Sequence, residues 1–331
     1  MPPFMALGCR IVIKMKVLGI DTSNYTTSVA LAEEDGFRQS RRILAVGKGE
    51  CGLRQSNALF LHTVNLPDMM RALMPMGRID AVAYSAYPRD VEGSYMPCFL
   101  AGKASAESVA AVLGVPLYVF SHQAGHLMAA VKTCGDENIG KKPFLAFHAS
   151  GGTTELLYAE PDENIGFSAE IVGHTLDISA GQLVDRVGVM LGLTFPCGNE
   201  LEKLAKQSTA KKIPSNICVR GADCNISGAE NTAAKMLKDG KSPEDVARFA
   251  IEFVGKTIIK MSLAAREKYP DLPIIYAGGV MRNAIIKKML AREVPNVLFA
   301  DTELSSDNAV GTAYLGLEKF VRDSSKDLFQ T

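Results

Sequence analysis

Neither sign of charge prevails in this sequence: 36 Lys and Arg stand against 36 Asp and Glu, a formal net charge of zero. That balance excludes a polyelectrolyte. A protein that holds nucleic acid through its overall field carries an excess of Lys and Arg, because neutralising phosphates releases counterions. Any nucleic-acid role here therefore rests on a local basic patch or on a partner chain. No stretch of 18 apolar residues occurs, so no helix is expected to span a membrane. No long polar tract occurs either, and with 22% charged residues wholesale disorder is excluded. The seven cysteines (Cys9, Cys51, Cys98, Cys134, Cys197, Cys218 and Cys224) contain no C-x-x-C pair. Such an odd, scattered set reads as reduced thiols of a cytoplasmic protein, not as a disulfide framework or a zinc ribbon.

What is present is length enough for roughly two domains, at about 150 residues each, and so for a cleft between them. The first apolar run is interrupted by Arg10, Lys14 and Lys16 and lacks a small-residue cleavage site, which argues against a signal peptide. Met15 is the expected natural start, since MKVLGIDTS opens a strand directly.

Strand patterns at 17–21 and 28–32 flank a polar, hydroxyl-rich turn. Further strands are expected at 80–85 and 117–120, with a small-residue helix over 100–113 closed by Gly114 and Pro116. The pattern then restarts: 144–147, the turn Ser150–Thr154, and 155–159 repeat strand, polar turn, strand. Helices over 178–191, 243–269 and 284–293 and strands at 273–276 and 296–300 follow, with a surface loop at 206–216. Alternating helices and strands define an α/β class. The repeated opening predicts two similar halves facing across a cleft.

Five places could carry chemistry. His122 and His126, spaced i and i+4 on a helix, can chelate one metal or serve as hydrogen-bonded residues at a helix start. Gln123 stands where a zincin has its Glu, so a protease lacks its base. The turn Ser150–Gly151–Gly152–Thr153–Thr154 is either a plain hairpin or an anion seat built from backbone N–H groups and hydroxyls. The turn at Asp21–Thr22–Ser23–Asn24 could face it from the other half. The segment 277–283 (AGGVMRN) passes from strand to helix as a nucleotide site does, but has no Walker lysine and no complete G-x-G-x-x-G. Asp307 reads most simply as a helix N-cap, or else as a third metal ligand beside the two His. Asp185, next to Arg186 on a helix, reads as half of a surface pair.

Taken in order, VLGIDTSNYTTSVAL, SYMPCFLAGKASAESVAAVLGVPL, FSHQAGHLMA, FLAFHASGGTTELLY, AGQLVDRVGVMLGLTFPCGNELEKLA, IIYAGGVMRN and SSDNAVGTAYLG resemble the family of the threonylcarbamoyl transferase that modifies tRNA adenosine, formerly known as the O-sialoglycoprotein endopeptidase or glycoprotease family. The similarity runs from about Val17 to Gly316. It implies the actin-like, sugar-kinase-like ATPase superfold, with two ribonuclease-H-like halves around a central cleft. Residues 15–130 would form one half, with 301–331 packing back on it, and 131–300 the other. His122, His126 and Asp307 would hold one divalent metal, iron or zinc. His148, Ala149, Ser150, Gly151 and Gly152 would cradle the phosphate of an adenylate, threonylcarbamoyl-AMP or ATP; Asp185, Gly198 and Asn283 would line its ribose and adenine. The implied reaction is attack by the N6 amine of a tRNA adenosine on the carbamoyl carbon, releasing AMP, with the metal as Lewis acid and template. No side chain is assigned as an acid or base.

Departures mark the chain as a divergent paralogue. Where the family commonly carries E-T-S-C-D-E-T, this chain has Asp21 to Thr27 as DTSNYTT; Ala124 replaces the inner Glu of H-x-E-G-H; Thr153 replaces the His after S-G-G. Ile178 and Ser179 replace two acids, and Gln182 replaces the Glu of A-G-E. Two further readings stay open: an ATP-dependent carbamoyltransferase acting on a small molecule, and an inactive paralogue serving as a partner subunit of a homologous fold.

Overall fold

The structure, a computed structural model, describes residues 14–23, 25–45, 53–136, 138–210, 216–304 and 307–328. The expected start at Met15 concerns the segment before these, and Asn24, Ser305, Ser306 and the middle of the 206–216 loop also lie outside the described residues.

The first sheet contains β1 (Lys16–Asp21), β2 (Thr26–Glu33), β3 (Gly36–Ile43), β4 (Ala81–Tyr87) and β5 (Leu117–Ser121), in the order β3-β2-β1-β4-β5. Its helices are α1 (Gln55–Ala72), α2 (Phe99–Leu113) and α3 (His122–Thr133). The second sheet contains β6 (Phe144–Ala149), β7 (Thr154–Asp162), β8 (Gly166–His174), β11 (Ile274–Ala277) and β12 (Val297–Phe299), ordered β12-β11-β6-β7-β8. Around it lie α4 (Ala180–Met190), α5 (Gly198–Ala205), the small hairpin β9 (Cys218–Arg220) and β10 (Asp223–Asn225), α6 (Gly228–Lys238), α7 (Pro243–Lys268) and α8 (Ala284–Glu293). The chain returns to the first sheet in α9 (Val310–Leu328).

The two sheets are built alike. In each, the opening strand pairs antiparallel with the next and parallel with a later strand: β1 with β2 and β4, β6 with β7 and β11. The repeat expected from the sequence is therefore a repeat of topology.

Alternation along the strands decides the layers. Leu18 and Ile20 face α1 and α2 together with Val29, Leu66 and Ala106. Val17 and Ala30 turn the other way, into a core shared by α3, α9 and the inner face of the second sheet at Phe144, Ala146 and Leu157. Leu145, Phe147 and Leu156 face outward against α4, α7 and α8. Because both faces of both sheets are covered, the central strands read as apolar runs.

Small residues let α9 lie close on the first sheet. A Cβ at Gly19 would stand 2.6 Å from the Ala309 carbonyl oxygen and 2.7 Å from the Ala313 Cβ. The crossing of α3 and α9 is tighter still: a Cβ on Gly311 would lie 1.8 Å from the Gly125 carbonyl oxygen. These contacts bring the start of α3 and the approach to α9 to the same place.

Candidate metal centre and the pocket beside it

The first sheet delivers both histidines. β5 ends at Ser121, whose hydroxyl accepts the Ala124 N–H at 3.1 Å and caps α3, so His122 is the first helical residue. The Ser121 hydroxyl donates to Asp90, and the Pro88 carbonyl accepts the Gln123 N–H at 3.0 Å, tying the 88–94 loop to the helix start. One turn later His126 lies above His122, ring centroids 4.3 Å apart.

Asp307 is not the N-cap of α9. The helix begins at Val310, and the side chain that accepts its first N–H is that of Asn308, through Oδ1 at 3.0 Å. The Asp307 carboxylate turns to the histidines instead, its Oδ1 lying 3.4 Å from Nε2 of His122 and 3.5 Å from Nε2 of His126. One ligand atom from each of the three residues lies within 4.8 Å of the others. Two donors each about 2.0–2.1 Å from a tetrahedral zinc are about 3.4 Å apart, which is close to the separation of the Asp307 oxygen from each histidine nitrogen. Two imidazoles and one carboxylate on one side also suit iron or zinc with positions left for other ligands. The residues present fit the group.

Charge is arranged around the trio. Burial opposes a charge on His122, but the Asp21 carboxylate at 2.8 Å from its Nδ1, with Asp307 behind, outweighs burial and raises its pKa to about 10. Burial also opposes ionisation of Asp307 and Asp21, yet their histidine partners hold both below the usual carboxylate range. His148, on β6, faces His126 with ring centroids 5.5 Å apart. Burial first, then the charge of His126, lowers its pKa to about 3 and keeps it neutral.

Two pockets adjoin at the 150–153 turn. One, about 470 Å³, is lined by His122, His126, His148, Asp307, Ser150, Gly152 and Thr153, with Met96, Phe99 and Leu157 among its apolar walls. An ion pair closes part of its rim, Arg89 Nη2 to Glu155 Oε2 at 2.8 Å, joining the 88–94 loop to β7. The other, about 350 Å³, is lined by Gly151, Gly181, Asp185, Phe195, Gly198, Gly279, Arg282 and Asn283. The expected site residues therefore fall into two groups on either side of one turn. Ala149 lines neither: it is buried at the end of β6, where its carbonyl oxygen would be 2.1 Å from a Cβ on Gly278.

The turn is held from behind. Thr153 donates its N–H to the Ser150 hydroxyl at 3.1 Å, and Ser179 donates its hydroxyl to the Gly151 carbonyl at 2.7 Å. Ser179 and Gln182, which stand where the family has acids, form a capping box that starts α4 against this turn. In front, nothing beyond the chain neighbours comes within 4 Å of where a Cβ would stand on Gly151 or Gly152. Neither packing nor positive φ requires glycine at these two positions, and the space in front of both is open. Asp185 is no surface partner of Arg186. Its Oδ1 accepts the Cys197 N–H at 2.8 Å and holds the 197–198 loop over the pocket, while Arg186 pairs with Glu230 at 2.9 Å. Asn283 caps α8, accepting from Ile285 and Ile286 at 3.0 and 3.1 Å.

Two sheets of one topology with pockets at the ends of their strands define an α/β protein of the actin-like ATPase fold. More narrowly, the family tRNA N6-adenosine threonylcarbamoyltransferase (TsaD) matches residues 58–314, and the chain belongs to that family of tRNA-modifying transferases. Solved structures agree on the fold. HypF of T. kodakarensis superposes with a TM-score of 0.59 at 13% identity, over 94% of this chain and 48% of that one. The activator of the 2-hydroxyisocaproyl-CoA dehydratase from Clostridium difficile, solved with bound ADPNP, superposes at 0.54 and 13% identity, over 94% and 98%. Component A of the Acidaminococcus fermentans (R)-2-hydroxyglutaryl-CoA dehydratase gives 0.55 and 14%, over 93% and 99%. Among the described residues no helix is long and apolar enough to cross a membrane.

Proposed function

We propose that the chain is a metal-dependent transferase that moves a threonylcarbamoyl group from threonylcarbamoyl-AMP to the N6 amine of adenosine in tRNA. The observation that carries this reading is the pair of pockets meeting at the open 150–153 turn, one holding the His122–His126–Asp307 donors and the other lined by Asp185, Gly198 and Asn283. An acyl adenylate laid across that turn has its phosphate over Gly151 and Gly152, its nucleoside in the smaller pocket and its acyl carbon beside the histidines.

Each residue then has a task. Backbone N–H groups of the turn and the Ser150 and Thr153 hydroxyls receive the phosphate. Asp185 spends one oxygen on Cys197 and has the other for a ribose hydroxyl. His122, His126 and Asp307 hold one iron or zinc ion, which supplies Lewis acidity toward the carbonyl. The amine nitrogen bonds to the carbamoyl carbon, the carbon–oxygen bond to phosphate breaks, AMP departs with its electron pair, and the amine's surplus proton passes to solvent water. Holding the two reactants in one cleft removes much of the entropic barrier. With no overall positive field, tRNA is received through a local basic patch or a partner subunit, one of homologous fold included.

The test is replacement in cells that lack their own threonylcarbamoyl transferase. Restoration of N6-threonylcarbamoyladenosine in tRNA, lost again with His126→Ala, supports the reading. Purified chain that binds AMP yet leaves the nucleoside absent moves the assignment to a carbamoyltransferase acting on a small molecule.

A further inference from the structure

We infer that Asp21 is a positioning residue of the metal centre, its buried carboxylate fixing both the tautomer and the heading of His122. The inference rests on the metal reading given above and extends it to a residue outside the ligand trio. Asp21 ends β1 and is 0% exposed. Its Oδ1 accepts the Ser23 N–H at 2.8 Å and the Ser23 hydroxyl at 2.5 Å. Its Oδ2 accepts the Ser85 hydroxyl at 2.7 Å and meets His122 Nδ1 at 2.8 Å. Four donors on two oxygens leave no lone pair for an ion and no freedom to rotate.

With Nδ1–H committed to Asp21, Nε2 is the nitrogen that His122 turns toward Asp307, and the one that gives up its proton when an ion binds. A ligand histidine held by a carboxylate through its other nitrogen is the arrangement that sets ring orientation and raises donor strength. The support reaches further back, because Ser85 also shares a hydrogen bond of 3.0 Å with Thr312 on α9. One carboxylate thus ties together the ends of β1 and β4, the start of α3 and the first turn of α9.

The substitution Asp21→Asn separates this role from simple packing. The Ser23 N–H is a fixed donor, so the amide oxygen of Asn takes the place of Oδ1 and its NH₂ faces Ser85 and His122. An amide donor opposite Nδ1 turns that nitrogen into an acceptor and moves the ring proton to Nε2, which blocks the metal-facing atom. The shape is unchanged while the tautomer is reversed.

The experiment measures Zn²⁺ affinity of the full chain by chelator competition and records the visible spectrum of the Co²⁺-loaded protein, for wild type, Asp21→Asn and Ser85→Ala. Asp21→Asn is expected to bind Zn²⁺ about 10–100-fold more weakly and to shift the Co²⁺ bands. Ser85→Ala keeps the carboxylate and loses one donor to it, so its affinity falls by a smaller factor, about threefold. A residue that only packs would lower the melting temperature and leave the Co²⁺ spectrum of the folded protein as it was; that result, or wild-type Zn²⁺ affinity in Asp21→Asn, overturns the inference. Should Asp21→Asn not fold, unchanged Zn²⁺ affinity in Ser85→Ala overturns it equally. Wild-type chain that takes up neither ion overturns the metal reading itself.

Discussion

The turn between β1 and β2 and the turn between β6 and β7 occupy the same place in two sheets of the same topology, yet they are used in opposite ways. In the first, Asp21, Thr22 and Ser23 are buried and their polar atoms are spent inside the protein: Thr22 donates to the Cys98 carbonyl at 3.0 Å, and Ser23 donates to Asp21. In the second, Gly151 and Gly152 are exposed and nothing fills the space in front of them. A repeated fold duplicates geometry and not chemistry. One copy became a wall behind His122, and the other stayed open.

The strongest way to break this contrast is at the metal side. Asp307→Ala should weaken Zn²⁺ uptake by more than the roughly 100-fold at the upper end of a supporting-partner loss, while Asn308 still starts α9 and the fold stands. Metal analysis of the purified variant beside its circular dichroism checks both halves of that statement. Next comes the crossing that brings α3 and α9 together. Gly311→Ala places a methyl group where the Gly125 carbonyl already is, and should cost about 1–3 kcal/mol in denaturant unfolding. A variant as stable as wild type would show that the helices can part without loss.

At the open turn the expectation reverses. Gly152→Ala meets nothing, so its stability should stay within about 0.5 kcal/mol of wild type. Its affinity for AMP, read by calorimetry, should fall about tenfold, a change of about 1.4 kcal/mol. Unchanged AMP affinity would mean that the turn is not a ligand seat.

The smallest effect separates two histidines across the cleft in chelator-treated protein. His122 has a folded pKa near 10, above the unfolded value of about 6.5, so its stabilisation is complete below about pH 6.5 and is lost as pH rises through about 10. His148 has a folded value near 3, below the unfolded one. The unfolded ring takes a proton that the folded ring refuses, so stability falls as pH drops from about 6.5 toward 3. His148→Asn should flatten that acid limb above the carboxylate range and leave the alkaline limb intact, as unfolding at a series of pH values would show.

Much of this was legible in the residues, for a physical reason. Strands buried on both faces, such as β1, β4 and β6, appear as apolar runs, and the repeat of strand, turn and strand revealed two halves. The antiparallel edge strands do not show themselves in this way, unlike the parallel edges β5 and β12. β3 carries Arg38, Arg41 and Arg42 and β8 is half exposed, so neither stood out. α1 was hidden by Pro67 in its interior and by the buried polar residues His62 and Asn65, which face Thr27. Within the site, the i, i+4 pair is local and readable. Whether Asp307 or Asn308 serves the start of α9 and which turns to the histidines depends on packing against Ser28 and α3, which the local sequence does not display. Asp185 likewise drew its meaning from Cys197, 12 residues away in sequence.

The route by which α9 reaches the first sheet bears on how the protein is made. Ser28 on β2 has its partner in the Ala309 N–H, 281 residues further along, and Ser85 on β4 meets Thr312 after 227. A ribosome therefore releases β1, β2 and β4 long before the helix that covers their inner face. Until Val310, Ala313 and Leu317 emerge, Val17, Ala30 and Ala83 have no lid from that side, and the carboxylate of Asp307 has not yet been synthesised. A nascent chain interrupted before residue 307 would present an uncovered sheet face and lack one of the three clustered donors.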